Sequence, residues 1–158
     1  MDFFKKTKKF RVRVAALIEN AQGKYLLVKQ MKKSKEYWLL PGGGIEFGES
    51  AGEALARELK EELDLEIKDS HFLLLNETID PDGKRHLLQV VFSVSLGEEI
   101  VVNLKEKVLK DFGFFSAAEI LTMEIRPDIK VFFKDLLTKN KTAGESEIHF
   151  ITSDWVEG

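Results

Sequence analysis

Glutamates crowd one short stretch of this 158-residue chain, and their spacing suits cation chemistry. Within residues 40–65, LPGGGIEFGESAGEALARELKEELDL, Glu61 and Glu62 follow Glu58 by three and four residues. Like charges at this spacing on a helix repel by roughly 0.2–0.5 kcal/mol per pair, so a bound cation would relieve a cost. Oxygen donors with no histidine or cysteine beside them suit a hard ion such as Mg²⁺ or Mn²⁺. A solvated helix face is the ordinary alternative for such a run.

The placement of these carboxylates around the helix favours a cleft. At about 100° per residue, Glu58, Glu61 and Glu62 share an arc of about 100° that borders the leucine stripe instead of opposing it. The residues of that stripe are Leu55, Leu59 and Leu63. The solvent side of the wheel holds Glu53, Arg57, Lys60 and Asp64. Glutamates that serve only solubility should lie opposite the leucines, so the acidic stripe is better placed to line a cleft at the margin of the core.

Three consecutive glycines precede this helix. Gly42, Gly43 and Gly44 permit backbone angles closed to other residues, and they let a backbone carbonyl or amide approach a ligand closely. A glycine-rich loop that leads into a helix N-terminus can hold phosphate, whereas a tight turn after a strand explains the same residues without a ligand. The glycines therefore strengthen the prediction of a cation site.

The order of these residues resembles the signature of the Nudix hydrolases. That family pattern is G-x5-E-x7-R-E-U-x-E-E-x-G-U, where U is an aliphatic residue, and this chain follows it from Gly43 through Glu49 and Arg57 to Leu65. Asp64 is the one departure, because it stands where the family has the glycine that ends the helix. Aspartate tolerates a left-handed conformation better than most residues, so we expect the helix cap to survive.

The resemblance implies roles for the residues of the motif. The expected metal ligands are Glu58, Glu61, Glu62 and the carbonyl of Gly43. The expected catalytic set is Glu58, Glu61, Arg57 and Glu49. Within that set, Glu58 or Glu61 would orient or deprotonate the attacking water, and Arg57 would pair with Glu49 to hold the loop against the helix. In some relatives the base comes from a later loop, and Glu106 is the candidate here, although a solvated charge is its more ordinary role.

Residues outside the motif must determine the substrate, and their pattern is less specific than the motif itself. Pro81 lies sixteen residues past the motif, a spacing typical of ADP-ribose and nucleotide-sugar pyrophosphatases in this family, but a hairpin turn explains it equally well. Arg13 resembles a phosphate-contacting position on the first strand. The expected substrate-binding residues are Arg13, Gly42, Gly44 and Pro81. Trp38, Phe47 and Phe4 could stack a base, but core packing is the more ordinary role of each.

The resemblance therefore implies a metal-dependent Nudix pyrophosphohydrolase acting on phosphoric anhydride bonds, with Mg²⁺ or Mn²⁺ as cofactor. The expected substrate is a small nucleotide, with ADP-ribose or a nucleotide sugar slightly ahead. The alternative is a house-cleaning (deoxy)nucleoside triphosphate pyrophosphohydrolase. A third reading is a non-catalytic module that senses a nucleotide, but such domains usually lose glutamates of the motif, and this chain keeps them all.

The flanking sequence predicts an α+β fold, an α/β/α sandwich with a mixed sheet between helices. Strands are predicted at 10–19, 24–30, 71–79 and 86–96, with weaker ones at 37–40, 98–104 and 111–116. Residues 31–36 read as a charged loop, and 80–85 as a hairpin turn. Helices are predicted at 50–63 with an S-x-x-E capping box, at 116–123, and at 126–139.

We expect one domain over residues 1–138 and a tail over 139–158. The end of the tail alternates like a strand, so it could join the sheet, pair with another subunit or be disordered. The tail and the apolar start of the chain leave a homodimer open.

Composition excludes several other classes of protein. The net charge of −3 gives no sign of a nucleic-acid binder, and the lysines and arginines at 5–13 read as a solvated arm with one or two phosphate contacts as the alternative. Cysteine is absent, which excludes disulfides, zinc–thiolate sites and thiol catalysis. No apolar run approaches the ~20 residues of a membrane span, and no signal peptide is evident. We expect a cytoplasmic protein with neither a nucleic-acid nor a membrane partner.

Overall fold

A computed structural model describes residues 8–155 of the chain. Phe4 and the first lysines, for which roles were considered above, lie outside this range. The strands are β1 (Lys9–Ile18), β2 (Tyr25–Lys32), β3 (Lys35–Leu39), β4 (Gly42–Gly44), β5 (Ile67–Ile79), β6 (Arg85–Leu96), β7 (Leu109–Phe115) and β8 (Phe150–Ser153). The helices are α1 (Ala51–Leu63), α2 (Ala117–Ile120) and α3 (Lys130–Lys139), followed by a 3-10 turn at Ala143–Glu145.

The strands form one mixed and one antiparallel sheet. The five-stranded sheet has the order β4-β1-β6-β5-β8, in which β1 pairs with β6 and β5 pairs with β8 in parallel. The three-stranded sheet has the order β3-β2-β7 and is antiparallel. The β5–β6 pair is the predicted hairpin, and the Asp80–Arg85 backbone bond of 2.9 Å closes its turn.

Two hydrophobic clusters cover opposite faces of strand β1, because successive side chains on a strand point to opposite sides. Val14, Ala16 and Ile18 pack with the leucines of α1. Ala15 and Leu17 pack with α3 and α2 instead. Helices therefore flank the sheet on both sides, and the predicted α/β/α arrangement is confirmed.

Three local predictions are wrong. Residues 31–36 are a tight hairpin, not a loop: Lys33 and Ser34 have φ of 49° and 64°, and positive φ at both central residues matches the twist of the flanking strands. Residues 98–104 form no strand, because they cover the end of α1 instead, where the amide of Asn103 donates to the carbonyl of Leu63. The three glycines do not form a turn, since they are strand β4 itself.

Helix α1 begins and ends as predicted. The Ser50 hydroxyl accepts from the amide of Glu53, and the Glu53 carboxylate accepts from the amide of Ser50, which completes the capping box. At the other end Asp64 adopts the left-handed conformation, with φ of 58° and ψ of 35°. Its carboxylate also contacts the ammonium groups of Lys60 and Lys105 at 2.9 and 3.0 Å. The aspartate therefore keeps the cap and adds a link to the segment that carries Glu106.

The tail adds strand β8 to the edge of the same sheet, in register with residues 75–78 of β5. None of the helices within residues 8–155 is long and apolar enough to cross a membrane.

Candidate active site

The glycine strand and the acidic helix face meet at one point. A Cβ atom on Gly43 would lie 2.3–2.5 Å from the carboxyl atoms of Glu58, so only glycine leaves room for that carboxylate. The amide of Gly42 donates to the carboxylate of Glu62 at 3.3 Å. Gly42 itself has a φ of 153°, and a Cβ there would lie 2.0 Å from the carbonyl oxygen of Val14. Glycine is thus required at two neighbouring positions for two different reasons.

Arg57 ties the loop after β4 to α1. Its guanidinium donates to both oxygens of Glu49, at 2.7 and 2.9 Å, and to the carbonyl of Gly44 at 3.1 Å. It also donates to Glu58 at 2.9 Å and to Glu61 at 3.3 Å. The hydrogen bond from Arg57 lowers the pKa of Glu49 to about 2. The wheel placed Arg57 towards solvent, and this is wrong: the long side chain reaches back under the loop, where 24% of it remains exposed.

The surroundings of Glu62 raise the pKa of its carboxyl group. Burial raises its pKa to about 7, against the nearby positive charge of Arg13, and the negative charges of Glu58 and Glu106 raise it further. A carboxylate in this environment binds either a proton or a cation at neutral pH. The segment bearing Glu106 is held beside it, because the amide of Lys105 donates to the carbonyl of Glu62 at 2.9 Å.

The chemistry of this donor set fits a hard cation, because every side-chain donor is a carboxylate oxygen. Within residues 8–155, however, no three acidic or histidine side chains converge closely enough to hold a metal ion as they stand. Nη1 of Arg57 contacts the carboxylates of both Glu58 and Glu61, at 2.9 and 3.3 Å. A cation that binds these two carboxylates would therefore compete with the guanidinium for them.

One cleft of about 820 Å³ contains these residues and a second, basic set. Its acidic residues are Glu46, Glu58, Glu61, Glu62, Glu106 and Asp154. Its basic residues are Lys9, Arg11, Arg13, Lys32, Arg57, Arg85 and Arg126, with His86 beside them. Strand β1 contributes Lys9, Arg11 and Arg13 at every second position, so the pleat points all three to one side of the sheet. A cleft that combines carboxylates with so many cations suits a metal-bound polyphosphate.

Arg13 is anchored at the floor of this cleft. Its Nε donates to the buried Gln89 at 3.1 Å, and its Nη2 donates to the carbonyl of Leu40. Burial lowers the pKa of this guanidinium, whereas the charges of Glu62 and Glu58 raise it. Arg13 is therefore a fixed cation beside the carboxylates.

The cleft brings together most of the predicted site residues but not all. The glycines, Arg13, Arg57 and the three helical glutamates line it, and Glu49 lies behind it as the partner of Arg57. Pro81 is exposed at the β5–β6 turn and is not a lining residue. Phe47 is fully exposed, and Trp38 packs edge-on against Phe115, 4.8 Å between ring centroids, beside the core.

Sequence reasoning missed Trp155 and Tyr37 as cleft residues. Tyr37 lies under the guanidinium of Arg126, 4.5 Å from the ring centroid. The alternating pattern of the tail predicted a strand, but no local signal specified which strand it would join or which side would face the cleft.

Known proteins share this sequence pattern and this fold. A family model of the NUDIX domain matches residues 9–136. The phosphatase NudJ of Escherichia coli (strain K12) is 33% identical over 106 residues, which cover 67% of this chain and 69% of that protein. The crystal structure of the MutT protein from Methanosarcina mazei Go1 aligns with a TM-score of 0.72 at 25% identity, over 85% of this chain and 97% of that one. The NUDIX domain of Shewanella oneidensis NrtR, complexed with ADP ribose, aligns with a TM-score of 0.67 over 87% of this chain and 93% of that one. Its identity of 20% shows a likeness of fold alone.

The fold and the cleft define a hydrolase that acts on phosphoric anhydride bonds. The chain belongs to the Nudix family, and the matched region contains the whole motif from Gly43 to Leu65.

Proposed function

We propose that this Nudix hydrolase is a metal-dependent pyrophosphohydrolase whose substrate is a nucleoside diphosphate linked to another moiety. The supporting observation is the cleft itself, in which the carboxylates of α1 and the cations of β1 line one space of about 820 Å³. The carboxylates alone would repel a diphosphate. A divalent cation between the two removes that repulsion, and the basic residues bind the remaining phosphate oxygens.

We assign the metal site to Glu58, Glu61, Glu62 and the carbonyl of Gly43. When bound, Mg²⁺ or Mn²⁺ would neutralise phosphate oxygens and lower the pKa of a water molecule. The raised pKa of Glu62, caused mainly by burial, supports this assignment because the charge of Arg13 does not fully offset the cost of burying this carboxylate.

The residues around the metal site have separate roles in this proposal. Arg57 and Glu49 are positioning residues, because their two hydrogen bonds fix the loop that carries Gly44 against α1. Glu58 or Glu61 orients or deprotonates the attacking water, with Glu106 as a further candidate from the opposite segment. Release of either glutamate from Arg57 makes it available for that role.

The substrate within this class is less narrowly supported. ADP-ribose or a nucleotide sugar was favoured through Pro81, which lies outside the cleft. The NUDIX domain of NrtR, similar in fold, was solved in complex with ADP ribose, so the fold accommodates that ligand. The second candidate is a (deoxy)nucleoside triphosphate, and the number of basic residues in the cleft favours it, since a third phosphate adds negative charge.

A hydrolysis panel tests the proposal directly. Release of phosphate, pyrophosphate or nucleoside monophosphate is measured for ADP-ribose, nucleotide sugars and (deoxy)nucleoside triphosphates, each with Mg²⁺, with Mn²⁺ and with EDTA. We expect turnover that requires the metal, and its loss in Glu61→Gln and in Glu62→Gln with the fold intact. Glu66→Gln is the matched control, because Glu66 is exposed, lies outside the cleft, and within residues 8–155 its carboxylate pairs with Lys60 alone.

Each outcome of the panel has a defined meaning. Full activity of both Glu61→Gln and Glu62→Gln would refute the metal assignment. Binding of a nucleotide without turnover of any substrate would favour the non-catalytic sensing module. The cytoplasmic location, the absence of nucleic-acid and membrane partners, and the homodimer stay predictions.

A further inference from the structure

The tail is fixed to the sheet by a buried polar residue. Asn76 has no exposed surface, and its amide nitrogen donates to the carbonyl of Ile151 at 3.2 Å and to the hydroxyl of Ser153 at 3.0 Å. Burying an amide nitrogen without a partner is unfavourable, so β8 stabilises β5 by accepting both hydrogen bonds from Asn76. The tail thereby has one register, in which Ser153 pairs with Thr78.

That register delivers Trp155 to the cleft. Because Ser153 lies beside Thr78 near the end of β5, the next two residues of the tail reach the start of β6. There the guanidinium of Arg85 lies 4.5 Å from the ring centroid of Trp155. The buried carboxylate of Asp80 accepts from Arg85 at 2.9 Å and holds it in place. Trp155 and Asp154 both line the same cleft as the glutamates of α1.

The wall formed here also contains unused hydrogen-bonding capacity. The indole nitrogen of Trp155 and the hydroxyl of Thr78 are buried and have no hydrogen-bond partner among the described residues 8–155. Burying either atom without a hydrogen-bond partner is unfavourable. A ligand with carbonyl, ring-nitrogen or hydroxyl groups could satisfy them after a small side-chain adjustment.

We propose that Trp155, with Thr78 and the Arg85–Asp80 pair behind it, forms the subsite for the planar nucleobase of the substrate. This inference rests on the proposed function, because it assigns one end of the same cleft. Any of the nucleobases can stack on an aromatic ring, and each also presents polar atoms at its edge. The charge of Arg85 is already engaged by Asp80 and by the indole face, so this wall suits a base better than a phosphate.

Specificity in this protein would then come from its tail. The phosphates bind between β1 and α1, and the base binds where β8 ends. Trp155 contacts no reacting group in this arrangement, so its loss should weaken substrate binding and leave the chemical step largely intact.

Binding of nucleoside monophosphates tests the subsite separately from hydrolysis, since these probes contain no anhydride bond and Mg²⁺ can be present. The protein is titrated separately with AMP, GMP, CMP, UMP and ribose 5-phosphate. Ribose 5-phosphate is the comparison ligand because it lacks the base. Stacking is worth about 1–3 kcal/mol per base, so the best nucleotide should bind about 5- to 150-fold more tightly than ribose 5-phosphate. Trp155→Ala should remove that difference, and Trp155→Phe should retain most of it.

Two further variants sharpen this test: one is a control for the loss of an aromatic side chain, and the other leaves a single tryptophan as a fluorescence probe. Phe150→Ala removes an exposed aromatic side chain from the same strand β8, outside the cleft, and should retain the preference for nucleotides. In Trp38→Phe the only remaining indole is that of Trp155, and its fluorescence should be quenched by the nucleotide and not by ribose 5-phosphate.

Three results would overturn the subsite: no preference for nucleotides over ribose 5-phosphate, an unchanged preference in Trp155→Ala, or no quenching in Trp38→Phe. Hydrolysis that does not depend on Trp155 would refute the subsite and leave the proposed function standing. Nucleotide binding that depends on Trp155, without hydrolysis of any anhydride, would refute the proposed function and leave the subsite standing.

Discussion

The substitution Gly43→Ala probes the junction between the glycine strand and the acidic helix. The new Cβ would lie 2.3 Å from Cδ of Glu58, whereas ordinary contacts between such atoms are near 3.4–4 Å. The carboxylate must therefore move by at least about 1 Å, and a misplacement of that size costs about 10²-fold in rate. The contact is with the end of a flexible side chain, so we expect rotation of Glu58 and a loss of less than about 1 kcal/mol in stability.

The assay compares kcat and the thermal unfolding midpoint of Gly43→Ala with those of Gly52→Ala. Gly52 lies in the first turn of α1 with no heavy atom within 4 Å of an added Cβ. Alanine is the better helix former, so the control should keep its activity and be slightly stabilised. If the kcat of Gly43→Ala stayed within about threefold of that of the unaltered chain, the hypothesis that kcat depends on the position of the Glu58 carboxylate would be refuted.

Three further predictions concern the same region. Arg57→Lys cannot keep both hydrogen bonds to Glu49, so kcat should fall by about 10- to 100-fold, and steady-state kinetics would contradict this by showing an unchanged rate. Asp64→Gly should retain stability, whereas Asp64→Ala should lose about 1 kcal/mol or more in urea unfolding, because alanine disfavours a φ of 58°. In metal-free protein, Glu62 releases its proton near pH 4.5 unfolded and about 7 folded, so the free energy of unfolding should fall as the pH rises between these values. Glu62→Gln should flatten that decline in urea titrations at pH 5 and pH 7.5, and equal slopes for the two proteins would argue against the raised pKa.

The sequence predicted well those elements that local residue patterns specify. Helix α1 starts at a capping box whose two hydrogen bonds join residues three apart, so the pattern is readable without the rest of the fold. The β5–β6 hairpin and the left-handed cap at Asp64 are likewise local. The two ends of the helix, and the turn that starts the hairpin, depend on contacts within a few residues of the chain.

The errors arose where distant segments decide the structure. Residues 98–104 have the composition of a strand, yet the amide of Asn103 donates to the carbonyl of Leu63 at the end of α1. The glycines read as a turn, yet they pair with β1 because a second backbone comes within 2.0 Å of where a Cβ would stand at Gly42. Arg57 lay on the solvent side of an ideal wheel, yet its length lets it reach Glu49.

The sequence by itself determined the class of chemistry, because the order of glycine, arginine and glutamates in one 23-residue stretch is the signature of a family of hydrolases that act on phosphoric anhydride bonds. It also determined which residue departs from the family, Asp64. Only the tertiary structure decided that Glu62 is buried beside Arg13, that Arg57 holds Glu58 and Glu61, and that the tail reaches the cleft. The physical reason is that burial, pKa and the walls of a cleft depend on which segments pack together, and strand β8 finds β5 across more than seventy residues.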